Sequence, residues 1–238
     1  MLHHWGRLLA HAPALWRGTR RLVQRRWRRL LLAFLGIALP LSAFSELAEE
    51  IHEADPLGFD EPLLRWAEAS ASPSLDQAML LASQLGYTWG VVPLAVLVFG
   101  GLLLAGRIRR AVYFGLAVGG SALLNLVAKA VFVRDRPALW LSIAPEHSYS
   151  FPSGHAMGAM SLAAAIVLLL WFTRWRWPAL LLGAAFTVWV GGSRIYLGVH
   201  YPSDILAGWT AALAWVSAVY LLVRPNHRGP RPAAPAES

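Results

Sequence analysis

The sequence predicts an all-α integral membrane protein built as a bundle of six transmembrane helices. Of its 238 residues, 57% are hydrophobic and only 14% are charged, whereas a soluble domain carries about 25% charged residues. The hydrophobic residues form long runs, and a lipid-facing backbone must satisfy its own hydrogen bonds, so these runs are predicted to be helices. The composition excludes a soluble globular enzyme and a disordered protein. Since the chain has no cysteine, it has neither a disulfide framework nor a thiolate nucleophile nor a cysteine-ligated metal centre.

Six apolar stretches approach the roughly 20 residues that a helix needs to cross a hydrocarbon core of about 30 Å. In chain order they are residues 30–47, 89–105, 111–133, 155–172, 177–199 and 205–223. They make up one transmembrane domain over residues 30–223 and leave no room for a second soluble domain. The outside loop 48–86 has apolar residues at helical spacing, so we expect short helices on the outer membrane surface. The tail 224–238 is rich in Pro and Ala and is predicted to be disordered.

The distribution of charge predicts which side of the membrane each loop faces. Residues 1–29 contain eight Arg and no acid, and further Arg residues follow the second, fourth and sixth predicted helices. With six spans, all these segments lie on one side, which the positive-inside rule identifies as cytoplasmic. Nine of the thirteen acids lie between Glu46 and Asp76, in the first outside loop. Both counts therefore predict the same orientation, in an inner (cytoplasmic) membrane.

The basic segment 1–29 allows two other interpretations. Arginine runs bind the phosphate backbones of nucleic acids, and the small residues Ser42, Ala43 and Ser45 after an apolar run are typical of a signal-peptide cleavage region. However, the charged segment is long and the apolar run is near spanning length, which favours a retained helix with a basic anchor for anionic lipid heads. We therefore expect membrane lipids and no nucleic acid as partners, and the oligomeric state is left open.

Three clusters of polar residues lie at the ends of predicted helices, where ionisable side chains are costly and indicate function. They occupy residues 129–137, 152–155 and 193–204. Between His155 and Arg194 the chain runs down one helix and back along the next, about 26–29 Å each way at 1.5 Å per residue. These two clusters therefore end at the same membrane face. Because the third helix also ends outside, we expect all three clusters to converge there.

The residue types in these clusters fit the binding of a phosphate. Lys129, Arg136 and Arg194 would repel one another if unpaired, whereas a bound phosphate satisfies all three. Ser153 and Gly154 begin the fourth helix, whose backbone N–H groups and dipole should point at the same anion. We expect no metal or other cofactor, because the three cations offset the charge that a magnesium ion would otherwise screen.

Two histidines divide the catalytic work in this hypothesis. Asp204 lies four residues after His200, close enough to accept its ring N–H, fix its tautomer and stabilise the imidazolium. His200 is therefore the predicted nucleophile, and His155 is the predicted general acid that protonates the departing oxygen. Water would then hydrolyse the phosphohistidine, with His155 acting as the base.

These motifs resemble the signature of the type 2 phosphatidic acid phosphatase superfamily of integral-membrane lipid phosphatases. Its three parts, Lys-x6-Arg-Pro, Pro-Ser-Gly-His and Ser-Arg-x5-His-x3-Asp, occur here in the family's order at residues 129–137, 152–155 and 193–204. The resemblance covers roughly residues 85–223. It implies metal-independent dephosphorylation through a phosphohistidine, at a site that faces away from the cytoplasm. Ala138 departs from the pattern, since many members have another basic residue after Arg-Pro.

The predicted activity is hydrolysis of a lipid phosphate or diphosphate at the outer face of the cytoplasmic membrane. Candidate substrates are undecaprenyl diphosphate, which we favour, phosphatidylglycerophosphate, phosphatidate and related lipid phosphates. A phosphotransferase that passes the phosphoryl group to a sugar or lipid acceptor is an alternative. A transporter is disfavoured because transporter sites lie near the midplane on broken helices, and a haloperoxidase is disfavoured by the membrane spans.

Two further polar residues receive structural interpretations. Asn125 lies one turn before Lys129, and we expect it to hydrogen-bond between helices rather than to orient the lysine. His147, beside Glu146 in an outside loop, is expected to be solvated rather than to touch a lipid headgroup.

Overall fold

The computed structural model describes residues 27, 29–53 and 57–226, and in these ranges the chain forms helices and no strands. The described helices are α1 (Arg29–His52, with a π-helical stretch at Phe34–Ala38), α2 (Asp60–Ala69), α3 (Pro73–Leu85), α4 (Val91–Leu104), α5 (Ile108–Phe132), α6 (Gly154–Leu170), α7 (Arg176–Tyr196) and α8 (Pro202–Val223). The predicted all-α class is thus confirmed for the described residues. The basic segment 1–29 and the tail 224–238 fall largely outside them, so the predictions for both stay predictions.

Membrane-spanning length separates these helices into two groups. Among the described residues, α1, α5, α7 and α8 are long and apolar enough to cross a membrane. Helices α4 and α6 are also apolar but have 14 and 17 residues, or about 21 and 26 Å at 1.5 Å per residue. The chain is therefore a multi-pass membrane protein, and the count of six spans stays a prediction.

The predicted outside loop 48–86 is largely helical. Helix α1 continues to His52, and α2 and α3 follow. Pro73 occupies the first turn of α3, where its missing N–H has no helical partner to lose. The expectation of short helices in this loop is confirmed, whereas their position relative to a membrane stays a prediction.

Helix α6 lies at the centre of the bundle and packs against α5, α7 and α8. Small residues make this packing close. A Cβ on Gly208 of α8 would lie 2.9 Å from the carbonyl oxygen of Ser153 and 3.2 Å from the amide nitrogen of Met157. Glycine at position 208 thus allows the start of α8 to approach the start of α6, which brings the second and third sequence motifs together.

The two ends of the bundle differ in composition. At one end, Arg109 donates to the carbonyl of Val223 at 2.7 Å and Asn226 donates to the carbonyl of Leu168 at 3.0 Å. The start of α5 and the ends of α6 and α8 therefore meet there, beside the arginines of the α4–α5 turn. The ends of α5 and α7 and the starts of α6 and α8 meet at the opposite end, which contains the three motifs.

Candidate active site

The three sequence motifs come together at the end of the bundle opposite the arginine-rich turn. Lys129 lies in the last turn of α5, Ser153 is the N-cap of α6, and Arg194 lies in the last turn of α7. Two hydrogen bonds join the motifs directly: the Arg136 guanidinium donates to the carbonyl of Val199 at 2.6 Å, and the backbone amide of Ser153 donates to the carbonyl of Asp204 at 3.1 Å.

His200 occupies the turn between α7 and α8 and is fully buried. Its Nδ1 lies 3.3 Å from Oδ2 of Asp204 and 3.2 Å from Oγ of Ser150. These partners favour the tautomer with hydrogen on Nδ1, which leaves the lone pair on Nε2. Burial lowers the pKa of His200 to about 4, although the hydrogen bond and charge of Asp204 oppose this effect. The ring is therefore neutral at pH 7, as a nucleophile requires.

Asp204 is held by a buried set of donors behind His200. Its Oδ1 accepts from Arg134 at 2.6 Å, and its Oδ2 accepts from the hydroxyl of Ser150 at 2.5 Å and from the amide of Tyr201 at 2.9 Å. The Arg134 guanidinium also lies 4.0 Å from the centre of the Tyr201 ring, within the range of a cation–π contact. The carboxylate is thus fixed from several directions.

Asp60, at the start of α2, extends this buried set of donors. Its Oδ2 accepts from Arg134 at 3.0 Å and from the hydroxyl of Ser203 at 2.6 Å, and its Oδ1 accepts from the amide of Ser203 at 2.9 Å. We call the set Asp60, Arg134, Ser150, Ser203 and Asp204 the Arg134 network. Through it, the helical loop after α1 contacts the residue that orients His200.

Clustered cations lie on the other side of the His200 ring. Arg136 donates to the carbonyl of Ser148 at 2.7 Å and to Oε2 of Glu146 at 2.6 Å, and one of its nitrogens lies 3.1 Å from Nε2 of His200. Arg194 is almost completely buried and donates to Ser83 and to Glu146. Lys129 donates to the hydroxyl of Ser148 and to the carbonyl of Tyr149.

Glu146 lies between the two histidines of the motifs. Its Oε1 is 3.7 Å from Nδ1 of His155, and its Oε2 is 4.0 Å from Nε2 of His200. Burial disfavours its charge, but Arg194 and the other cationic groups around it outweigh burial and lower the pKa of Glu146. We call the set Lys129, Arg136, Glu146, His155 and Arg194 the anion pocket; its lysine and two arginines outnumber its one carboxylate.

The start of α6 places His155 at the edge of this pocket. The ring of His155 packs against Tyr87, with 5.3 Å between ring centres. Ser153 is already engaged, because its hydroxyl accepts from the amide of Ala156 and its own amide donates to Asp204. Since Ser153 is the N-cap, the first amides of α6 belong to Gly154 and His155.

Two contacts hold the segment that precedes α6. Asn125 donates to the carbonyl of Pro152 at 3.0 Å, so its expected contact between helices runs to the segment just before α6. Phe151 is buried and packs against Phe132 and Phe44, with 4.9 and 5.9 Å between ring centres. Helix α1 therefore supports the second motif through Phe44.

Four residues that contact the site have no role predicted from the sequence: Asp60, Arg134, Glu146 and Ser150. Arg134 lies inside the first motif, which was a usable signal. Glu146 was assigned to a loop beside His147; the structure shows His147 exposed, as expected, and Glu146 directed inward. Asp60 gives no local signal, because its contacts exist only when α2 packs against the start of α8.

An apolar groove runs between α4, α6 and α7, with a volume of about 570 Å³. One end of the groove lies at Leu85 and Trp89, on either side of the Tyr87 whose ring contacts His155. Its far part is lined by apolar residues of α6 and α7: Leu162, Ala163, Ile166, Leu182, Gly183 and Phe186. The groove thus leads away from the neighbourhood of the site between apolar helices.

The chain is a multi-pass helical bundle. At one end it brings together two histidines, a buried aspartate and clustered cations. This combination is typical of membrane-bound phosphoryl-transfer enzymes. The PAP2 superfamily model matches residues 110–228. The chain belongs to this superfamily and is a phosphatase of lipid phosphates or diphosphates. The matched region contains all three motifs, so the family resemblance found in the sequence is confirmed.

Individual relatives match most of the chain. Phosphatidylglycerophosphatase B of Bacillus subtilis is 30% identical over 175 residues, covering 71% of this chain and 86% of the relative. The undecaprenyl-diphosphatase of Sulfolobus acidocaldarius is 32% identical over 181 residues, covering 73% and 82%. The crystal structure of the transmembrane PAP2-type phosphatidylglycerolphosphate phosphatase from Bacillus subtilis superposes with a TM-score of 0.66 at 29% identity, covering 78% of this chain and 94% of that one.

Proposed function

We propose that the protein removes a phosphoryl group from a membrane lipid through a phosphohistidine formed on His200. The observation that carries this proposal is the orientation of the ring. Asp204 and Ser150 lie at Nδ1, while Nε2 faces Arg136 and the anion pocket. A neutral imidazole held in this way directs its lone pair at the position where several cations would hold a phosphoryl group.

In the first step, Nε2 of His200 attacks phosphorus and the bond from phosphorus to the lipid oxygen breaks. His155 donates a proton to that departing oxygen. Arg136, Arg194 and Lys129 stabilise the charge on the equatorial oxygens, and the first amides of α6, at Gly154 and His155, add to this at the helix N-terminus. Ser153 contributes by capping that helix. Asp204 stabilises the imidazolium that forms on His200.

In the second step, water attacks the phosphohistidine and the nitrogen–phosphorus bond breaks. His155, now neutral, accepts a proton from that water and returns to its starting state. Inorganic phosphate leaves and His200 becomes neutral again. None of these steps calls for a metal ion, because the cations of the anion pocket provide the positive charge.

We propose six spans, with α4 and α6 completing the set of four long helices, over a transmembrane domain of residues 30–223. The arginine-rich end of the bundle would face the cytoplasm by the positive-inside rule. The candidate site, at the opposite end, would then face the outer side of an inner membrane. The separation of the Arg109–Val223 contact from the motif residues supports this orientation.

For the substrate, we propose a lipid diphosphate such as undecaprenyl diphosphate, with phosphatidylglycerophosphate as the alternative. One relative is an undecaprenyl-diphosphatase and another is a phosphatidylglycerophosphatase. The apolar groove would hold the lipid tail, because it begins beside the Tyr87–His155 contact and continues between apolar helices. With a volume of about 570 Å³, the groove would hold the part of an isoprenyl chain nearest the headgroup.

Two measurements on detergent-purified protein test this function. We expect phosphate release from these lipids in the presence of EDTA and an acid-labile phosphoprotein after rapid quenching. His200→Gln should abolish the phosphoprotein and reduce kcat by ~10³-fold. Undiminished turnover in His200→Gln would contradict the mechanism. Transfer of the label to an added alcohol or sugar rather than to water would indicate a phosphotransferase.

The assignment of the tail is tested with Ala163→Phe, which narrows the apolar groove, against Leu123→Phe on the exposed face of α5. We expect Ala163→Phe to reduce kcat/KM for the long-chain lipid about tenfold, since the tail loses part of its apolar contact. A short-chain phosphate should be hydrolysed equally by both variants. Equal loss for short and long chains would show that the groove does not bind the tail.

A further inference from the structure

Glu146 binds the same cations that a phosphoryl group would need. One carboxylate oxygen accepts from Arg194 and the other from Arg136. The oxygen that accepts from Arg194, Oε1, also lies 3.7 Å from Nδ1 of His155. The oxygen that accepts from Arg136, Oε2, lies 4.0 Å from Nε2 of His200. Each oxygen thus lies between one guanidinium and one imidazole, as the oxygens of a phosphoryl group in the proposed reaction would.

A carboxylate resembles a phosphoryl group in the property that matters to arginine. Both present pairs of anionic oxygens that accept two parallel N–H bonds from a guanidinium. In-line attack requires the reacting atoms to approach within about 3–3.5 Å, so phosphorus must lie between the two histidines. That volume contains the Glu146 carboxylate, and the two groups exclude each other.

Glu146 also comes from a different kind of segment than Arg194 does. It lies in the segment between α5 and α6, where the chain forms no helix, and it is flanked by the exposed Pro145 and His147. About 26% of its side chain is exposed, against 1% for Arg194. Arg194 is therefore held by helix α7, while the carboxylate reaches it from the non-helical segment between α5 and α6, which also contains Arg136.

We propose that Glu146 is an internal competitor for the phosphoryl site, which must swing out before the substrate phosphate binds. This inference rests on the proposed function of the same site. A site that is occupied by its own carboxylate has its apparent affinity for every anion reduced by the same factor. Weak anions, such as released phosphate or the diester headgroups of surrounding lipids, then fail to fill the pocket, while a substrate with high intrinsic affinity still does.

The test compares wild type with Glu146→Gln, which keeps the shape and removes the charge, and uses His147→Gln as the matched neighbour. Two kinetic constants are measured, the KM for the lipid substrate and the Ki of inorganic phosphate. We expect both to fall by a common factor of about ten, with kcat changing less than about threefold, because one competing state has been removed. His147→Gln should leave all three values unchanged.

A binding measurement separates this proposal from the proposed function. Thermal shift with inorganic phosphate gives an apparent Kd that needs no turnover, and each variant is referenced to its own ligand-free Tm. Glu146→Gln should bind phosphate about tenfold more tightly than wild type, and Glu146→Asp, too short to bridge both arginines, should lie between them. If Glu146→Gln binds phosphate more tightly but the protein hydrolyses no lipid phosphate, the proposed function is wrong, while the proposal that Glu146 competes for the site still holds.

The opposite results overturn the proposal. If Glu146→Gln binds phosphate no more tightly than wild type, the carboxylate does not compete for the site. If kcat falls more than about tenfold while KM and Ki stay constant, Glu146 takes part in proton transfer or supports Arg194 instead.

Discussion

Two groups of arginines and carboxylates lie on opposite sides of the His200 ring, and they are built differently. In the Arg134 network, two carboxylates share one guanidinium, and Asp60 and Asp204 are both buried. In the anion pocket, two guanidiniums, those of Arg136 and Arg194, share Glu146, whose side chain is partly exposed. The network faces Nδ1 of His200, and the pocket faces Nε2.

This difference indicates that the Arg134 network orients the His200 ring, whereas the anion pocket suits an anion that binds and leaves. Each carboxylate oxygen of the Arg134 network has donors within the protein, so the network has no role for an outside ion and fixes the imidazole instead. The anion pocket has excess positive charge and one carboxylate that comes from a surface segment. It therefore suits an anion that binds and leaves. The nucleophile of the proposed mechanism needs both an orienting partner and access to the phosphoryl group, and each ring nitrogen of His200 faces one of them.

The largest loss of activity is expected for a substitution in the anion pocket, and its absence would contradict the comparison of the two groups. Arg136→Gln removes a donor from the position where charge develops on the phosphoryl oxygens, so we expect kcat/KM to fall by roughly 10²–10³-fold. The Tm should fall less than that of Asp60→Asn, because Glu146 is partly exposed and keeps Arg194 as a partner. Arg136→Lys should recover only part of the activity, because an ammonium lacks the paired geometry of guanidinium.

A smaller loss of activity, joined to a larger loss of stability, is expected on the network side. Asp60→Asn takes a buried carboxylate from Arg134 and Ser203, which we expect to cost about 3 kcal/mol of unfolding free energy. Asp60 acts on the reaction only by positioning Asp204, so kcat should fall about tenfold while KM stays within about twofold.

The matched control for Asp60→Asn is Glu61→Gln at the next position, an exposed acid whose ion pair, within the described part of the chain, is with the exposed Arg65. Glu61→Gln should leave both kcat and Tm unchanged, since exposed pairs contribute little. If Asp60→Asn raises KM more than it lowers kcat, the network belongs to substrate binding and the distinction between the two sides fails.

The smallest expected effect concerns the pKa of His200, whose ring lies between the two groups. Because burial lowers the pKa of His200 to about 4, nitrogen NMR of histidine-labelled protein should show this ring neutral at pH 6 and titrating near pH 4. The assignment uses His200→Gln. An apparent pKa of 6.5 or higher would mean that Asp204 outweighs burial and the adjacent Arg136 and Arg194.

The lowered pKa of His200 also predicts how the stability of the protein changes with pH. The unfolded state has a histidine of pKa about 6.5, so it binds more protons than the folded state between about pH 6.5 and pH 4. The contribution of neutral His200 to stability is therefore complete above pH 6.5 and declines as the pH falls through this window. The Tm of wild type should drop more steeply there than the Tm of His200→Gln.

The helices and motifs were predictable because their signals are local. Apolar runs of about 20 residues require helices in lipid, and the predicted runs begin and end within a few residues of α5, α6, α7 and α8. The second run, residues 89–105, is shorter in the structure, where α4 spans Val91–Leu104. Hydrogen bonds from Trp89 to Gln84 and from Val92 to Tyr87 continue the turn after α3 to this point. Composition alone does not predict such a turn.

By itself, the sequence determined the fold class, the family and the grouping of the motif residues, because each motif is continuous and the helices between the motifs have matching lengths. Only the tertiary structure decided which acids contact the site. Asp60 reaches Arg134 because α2 packs beside the start of α8, and Glu146 enters the pocket because a segment without helix folds back over it. Both contacts join residues from separate elements, and the energy of burying a charge beside its partner exists only after those elements have packed.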